Sequence, residues 1–249
     1  MNPNEKAVYD TLAEASKTEI PTKFKSLQDY IGTKYNMLGI SSATMRQLSI
    51  KGFGFSKLPL DIRLQIWDEI WQTSNSYEVL SQAELFVEYH FKKIKPDMLW
   101  PVIQTWVKRI DNWAHSDSLS SFYSKMFLAL PHEVYSQLLS WSDSDNFWER
   151  RQSVVVIACI MRNKKALLSF EESLDSIEKL MMDKEYFVQK GIGWALREIC
   201  RHYPEEQLQF LYKYASRMSS TAFATATEKI DALEKENLKM LRKQARIKS

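Results

Sequence analysis

Apolar residues recur at helical spacing along almost the whole chain, and no long stretch breaks the pattern. Residues 59–74 read PLDIRLQIWDEIWQTS, with Leu60, Leu64, Trp67 and Trp71 at i, i+4, i+7 and i+11. Such a stripe lies along one side of a helix; a strand would alternate every second residue instead. Residues 77–93 continue in the same way through Leu80, Glu84–Phe86 and Tyr89. Only 6 glycines and 7 prolines are spread over 249 residues, too few for the turns of an all-β or α/β chain. The expected fold class is all-α. Helix breaks are expected at Lys95-Pro96, Leu130-Pro131 and Tyr203-Pro204, where proline opens the next helix. Ser41-Ser42 and Asp111-Asn112 have the short polar side chains of N-caps. Connections are short, which favours antiparallel helix pairs.

A faint internal repeat runs through the second half. Trp148-Glu149-Arg150-Arg151 and Phe187-Val188-Gln189-Lys190 each place an aromatic residue ahead of a basic one, 39 residues apart, and Trp113 lies 35 residues before Trp148. A period near 40 with two helices per unit is that of HEAT-like repeats, although a non-repeating helical bundle would give similar spacing. Residues 1–233 are expected to form a single domain, and 234–249 a basic C-terminal tail. Net charge is +3, but residues 235–249 carry six cations against Glu236 alone. The tail reads either as a solvated, frayed terminus or as a short amphipathic helix touching phosphate, with Leu238, Leu241 and Ala245 on one side.

Several chemistries are excluded by pattern. HExxH, CxxC and Walker motifs are missing, and the four histidines are scattered with no pair at i, i+4, so no metal or cofactor is expected. Gly52-Phe53-Gly54-Phe55 reads as a turn after a helix. Cys159 and Cys200 lie in apolar helical stretches and are expected as buried free thiols. No apolar run reaches ~18 residues and no signal peptide opens the chain, so a cytoplasmic location is expected.

Three segments could carry function. In Asp111-Asn112-Trp113-Ala114-His115-Ser116-Asp117, a cap at Asn112 would put Trp113 and Asp117 on one helix face. An aromatic plane beside a carboxylate can hold a sugar and oppose positive charge on it; a core Trp with a solvated Asp is the plainer alternative. In Asn146-Phe147-Trp148-Glu149-Arg150-Arg151, paired arginines near a helix start can grip phosphate or can form surface ion pairs. In residues 187–198, FVQKGIGWALRE, Gly191 and Gly193 sit inside a helix, each about 1 kcal/mol less favourable than Ala, and close helix packing is the plainest compensation. Trp194 beside them faces either core or cleft.

Together these segments resemble the AlkD-type DNA alkylation repair family, the HEAT-like-repeat DNA glycosylases. The stretches that carry the resemblance are DNWAHSD (111–117), NFWERR (146–151) and FVQKGIGWALRE (187–198). A fourth runs from Tyr30 through Tyr35-Asn36-Met37-Leu38-Gly39-Ile40, with Tyr30 eight residues before Leu38. The similarity spans roughly residues 5–232. It implies a HEAT-like repeat solenoid with a concave DNA-binding face, acting as a monomer on double-stranded DNA. The implied activity is monofunctional hydrolysis of the N-glycosidic bond of N3- or N7-alkylated purines, without a tight base pocket.

By the same resemblance Asp117 is the catalytic carboxylate, and Trp113 and Trp194 are the aromatics that embrace the lesion's deoxyribose. Arg151 or Arg150 grips the DNA at the lesion, with Arg151 favoured, and Tyr30 touches the duplex. Lys190, Arg46 and Lys51 are expected phosphate contacts, with Lys23, Lys25 and Arg197 clustering beside them. His115 and Ser116 are more polar than the family's usual filler. Some branches of the family keep the fold and lack the activity; Tyr30 and Asp117 are both present here, which favours an active enzyme over a non-catalytic binder of damaged or branched DNA.

Overall fold

The computed structural model describes residues 2–19, 24–165 and 167–248. Among these residues all regular structure is helical, apart from one isolated bridge between Asn36 and Ser76. Two compact units result, Met1–Phe122 and Tyr123–Ser249.

The first unit holds α1 (Pro3–Ser16), α2 (Phe24–Ile31), α3 (Ser42–Lys51), α4 (Leu60–Thr73), α5 (Tyr77–His90), α6 (Pro96–Ile103) and the start of α7 (Trp113–Phe127), with short 3-10 turns at Gly54–Lys57 and Trp106–Arg109. Sequence signals place these boundaries well. The Ser41 side chain accepts the Thr44 amide at the start of α3, and Pro96 opens α6 at N1. The apolar stripe of α4 turns Leu64, Trp67, Ile70 and Trp71 inward against α5. Trp71 stacks on Trp106 at 4.5 Å, and its Nε1 donates to the Trp106 carbonyl at 3.0 Å. Trp106 in turn donates to Asp68 Oδ1 at 2.8 Å, so neither buried indole leaves its N–H unpaired. Gly52 closes α3 with φ +80°, a conformation that favours glycine, as its place in a turn predicts.

The second unit holds α8 (Pro131–Ser142), α9 (Phe147–Met161), α10 (Phe170–Leu180), α11 (Tyr186–Ile199), α12 (Pro204–Tyr214), α13 (Ser220–Ala226) and α14 (Ala232–Lys248). Pro131 and Pro204 open their helices as the sequence indicates. From Arg151 to Ala158 every residue of α9 is buried, the mark of a helix wrapped on all sides by its neighbours α8, α10 and α11. α11 lies against both α9 and α13. Its glycines explain how closely. A Cβ added at Gly191 would stand 2.8 Å from a Val154 methyl, and one at Gly193 would stand 2.7 Å from the Ala222 carbonyl oxygen. Close packing therefore compensates the poor helix propensity of both positions.

Residues 232–248 form a docked helix. Leu238 is fully buried, and Arg242 is buried with its guanidinium 4.3 Å from the centre of the Phe223 ring. Arg242 Nη1 donates to the carbonyls of Ala215 and Met218, buried acceptors just after α12 that lack an intrahelical partner. Through Arg242 the helix is held against the fold, and one of its cations belongs to that contact. Cys159 and Cys200 are half-buried, more exposed than expected.

Candidate active site

In the first unit the chemistry-bearing residues gather at the start of α7. Asn112 caps the helix as expected: its Oδ1 accepts the His115 amide at 2.9 Å, and its carbonyl accepts Ser116 N. Asn112 is fully buried, and its Nδ2 has two acceptors, Asp111 Oδ1 at 2.8 Å and His115 Nδ1 at 3.0 Å. The opposite ring nitrogen, His115 Nε2, lies 3.0 Å from Ser81 Oγ, which itself donates to the Tyr77 carbonyl. Assigned by this chain of donors, His115 is a neutral imidazole protonated at Nε2. It also stacks on Tyr77 at 4.5 Å. Burial lowers its pKa to about 4, against the opposing pull of the Asp111 carboxylate and a hydrogen bond to the Tyr77 backbone. His115 is therefore a structural hub of this site.

Asp111 ties the N-terminal segment to the same place. Its carboxylate accepts from Thr33 Oγ1 at 2.8 Å and from the Lys34 amide at 2.7 Å, and the Tyr35 hydroxyl donates to the Arg109 carbonyl. The Leu38-Gly39 turn is held by the buried Glu78, whose Oε1 accepts the Gly39 amide at 2.7 Å. These anchors bring Tyr30 to Trp113. The Trp113 Nε1 donates to the Tyr30 carbonyl at 3.0 Å, and the rings meet edge to face at 5.4 Å. Tyr30 remains 70 % exposed and Trp113 is half-buried. Asp117, also half-buried, stands one turn beyond Trp113 on the same face of α7.

In the second unit the paired arginines are engaged internally. Arg150 Nε lies 2.6 Å from Asp183, and its Nη1 donates to the carbonyls of Ser144 and Asp145, both at 2.9 Å. Arg151 is 3 % exposed; its Nη1 donates to the Phe187 carbonyl at 2.7 Å, beside the stacked Trp148 and Phe187 rings. Their residue type fits either phosphate or protein acceptors, and only the fold shows that Asp183 and the start of α11 supply the latter. Trp194 is half-buried, and its Nε1 is buried with no partner among the described residues. The guanidinium of Arg162, at the end of α9, lies 5.5 Å from the centre of its ring. Arg162 is exposed and makes no ion pair among the described residues, and Lys164 and Lys165 follow it, also exposed. Sequence reading passed over Arg162; the basic run Arg-Asn-Lys-Lys just after an apolar helix was the available signal.

The remaining predicted cations divide in two. Arg46 pairs with Glu88 at 3.2 Å, and Arg197 pairs with Glu228 and with the buried Glu198. Lys51 and Lys190 are exposed and have no carboxylate partner among the described residues. Lys23 and the side chain of Lys25 lie outside the described residues. Among the described residues no cluster of His, Cys, Asp and Glu could hold a metal, and no helix is long and apolar enough to cross a membrane.

Comparisons with known proteins agree with this architecture. One solved structure, from Enterococcus faecalis and described as a predicted DNA alkylation repair enzyme, superposes with a TM-score of 0.70 at 17% identity, covering 86% of this chain and 97% of that one. The crystal structure of AlkD2 from Streptococcus mutans superposes with a TM-score of 0.52 at 18% identity, covering 90% of this chain and 99% of that one. At these identities the likeness establishes an AlkD-like helical-repeat fold. No curated protein sequence matches. The sequence profile of the DNA alkylation repair enzymes, however, matches residues 11–230, nearly the whole chain. With that match the chain belongs to the DNA alkylation repair enzyme family.

Proposed function

We propose that this protein is a monofunctional DNA glycosylase that hydrolyses the N-glycosidic bond of cationic N3- or N7-alkylated purines in duplex DNA and leaves an abasic site. One observation carries the reading: Asp117 and Trp113 share a face of α7, next to the exposed Tyr30, over a buried hydrogen-bonded network. A purine alkylated at N3 or N7 already bears positive charge, so it leaves as a neutral base and needs no proton. As the C1′–N bond breaks, charge moves to the sugar. A fixed carboxylate about 4 Å from that charge, at an effective dielectric of ~20, stabilises it by roughly 4 kcal/mol, enough for a rate factor of about 10² to 10³. Water then adds at C1′, and its proton passes to solvent.

In this reading Asp117 is the carboxylate, Trp113 lies against the sugar, and Tyr30 contacts the duplex. From the second unit Trp194 presents a second aromatic face to the DNA. Arg151 and Arg150 act by shaping that unit, and Arg162, with Lys190, supplies cations to phosphate. Arg46 and Lys51 are phosphate contacts of the first unit. The protein works as a monomer, without cofactor, in the compartment that holds the chromosome. The rival reading, a non-catalytic binder of damaged or branched DNA, draws on the internal engagement of both motif arginines.

Base release separates the two. Incubation with methylated duplex DNA is expected to liberate 7-methylguanine and 3-methyladenine, whereas an uncharged 1,N6-ethenoadenine site stays intact. His115, the nearest candidate acid, is buried and neutral, with both ring nitrogens occupied. Binding without release of either methylpurine would favour the rival. Rapid release of ethenoadenine at neutral pH would mean that a proton donor acts in the site.

A further inference from the structure

The two ends of α3 border cavities of different composition. The first turn borders a cavity of about 220 Å³ where Arg46 stands among Glu78, Glu84 and Glu88. The last turn borders one of about 340 Å³ lined by Lys51, Lys57, Arg63 and His90, with Phe53 and Trp67 as aromatic wall and no carboxylate in the lining. Lys51 and Lys57 are exposed, and Arg63 is half-buried.

Arg63 is the informative residue. Its guanidinium lies 5.7 Å from the centre of the Phe86 ring, and its Nη1 is 3.4 Å from His90 Nε2. His90 directs Nδ1 to the Phe86 carbonyl at 2.9 Å, which leaves the Nε2 lone pair facing the arginine. Arg63 is thus oriented by a neutral ring rather than neutralised by an acid. Its Nε is buried with no partner, and neither it nor the two lysines forms an ion pair among the described residues. A part-buried guanidinium with no counter-charge is unfavourable unless an anion completes it. Guanidinium and ammonium groups converging on one cavity match the oxygens of a phosphate.

We propose that this cavity, between the end of α3 and the facing sides of α4 and α5, is a phosphate-binding subsite that takes a backbone phosphodiester of the bound nucleic acid. The assignment rests on the DNA-binding reading above. The cavity engages its ligand through charge, so it acts on affinity and leaves lesion choice alone.

The test uses the full chain. Binding to an undamaged labelled duplex is titrated across ~50–200 mM salt for the wild type, Lys57→Gln, Arg63→Gln and the double variant. Lys179→Gln, which alters a surface pair with Asp143, serves as control. The double variant is expected to bind about tenfold more weakly and to lose about 0.9 from the log K versus log[salt] slope, the share of one phosphate. Lys57→Gln, exposed and without packing role, is expected to move both quantities in the same direction even if Arg63→Gln perturbs folding. In parallel, inorganic phosphate is titrated into the wild type while the His90 ring nitrogens are followed by NMR; with four histidines the signals separate, and His90 alone is expected to shift.

A wild type that binds duplex with a slope unchanged in the variants overturns the subsite and spares the DNA reading. The same result with a phosphate-dependent His90 shift assigns the cavity to free phosphate and overturns the backbone source. A wild type that fails to bind duplex at 50 mM salt defeats the DNA reading itself.

Discussion

The two units treat their polar motif residues in opposite ways. At the start of α7 the inner members of the motif, Asn112 and His115, are buried and hold the structure, while Trp113 and Asp117 retain exposure. At the start of α9 the two residues best suited to grip phosphate, Arg150 and Arg151, do the holding, and an arginine outside the motif, Arg162, stays exposed. The lesson is that a motif records which groups must be present and does not say which of them face outward. That is decided by where distant acceptors lie. Asp183 and the Phe187 carbonyl claim the arginines, whereas Thr33, Lys34 and Ser81 satisfy the polar groups beneath Trp113.

The contrast is most exposed to refutation at Asp117. Asp117→Asn keeps the shape and removes the charge. Base release in a single-turnover assay is expected to fall at least tenfold and by as much as 10²–10³, the effect of losing one electrostatic contact to a transition state, about 2.7–4 kcal/mol. DNA affinity is expected to change little, since a carboxylate does not attract phosphates. Wild-type release by this variant would remove the first unit from the chemistry.

Next come the arginines. Arg151→Gln is expected to destabilise the protein by about 2–4 kcal/mol, because a buried carbonyl loses its charged donor and the site loses packing. Arg162→Gln gives up at most an exposed cation–π contact, about 0.5–1 kcal/mol, but is expected to weaken DNA binding several-fold. Urea unfolding and duplex titration of the two variants side by side measure the split. If Arg162→Gln were the more damaging to stability and the more benign to binding, the division of labour would be reversed.

The third expectation concerns pH. His115 titrates near 4 when folded and near 6.5 when unfolded. Its folded value is depressed, so its contribution is fully present above about pH 6.5 and is lost as pH falls from there toward 4. The loss across that window is about 3 kcal/mol. In His115→Gln, which cannot titrate, the unfolding free energy is expected to vary less with pH between 6.5 and 4 than in the wild type. Identical pH profiles would mean that the imidazole is not sealed in its network.

Much of the framework was legible in the sequence because it rests on local rules. Pro96, Pro131 and Pro204 open helices because proline at the first position gives up an N–H that has no intrahelical partner, Asn112 is a good cap wherever it stands, and paired glycines in a helix call for a close neighbour. The adjacency of Trp113 and Asp117 followed from the cap. What escaped was long-range. Asn112 and His115 become a hub only through Ser81, 34 residues away. Arg150 finds Asp183 across 33 residues. The tail looked like a separable basic segment, yet Arg242 reaches back to the carbonyls after α12. The Lys51–Lys57–Arg63 cavity needed the fold to bring three spaced cations to one place.

The glycines of α11 have a genetic consequence. Every residue other than glycine carries a Cβ, so any missense change at either codon introduces an atom where the Val154 methyl or the Ala222 carbonyl already stands. At Gly191 the obstruction is the side chains of neighbouring valines, which a compensating change to a smaller residue at Val154 or Val155 could relieve. At Gly193 it includes main-chain atoms of Ala222, which side-chain replacement there does not remove. Reversion screens starting from alanine should therefore yield second-site suppressors readily for position 191 and rarely for position 193, next door to Trp194.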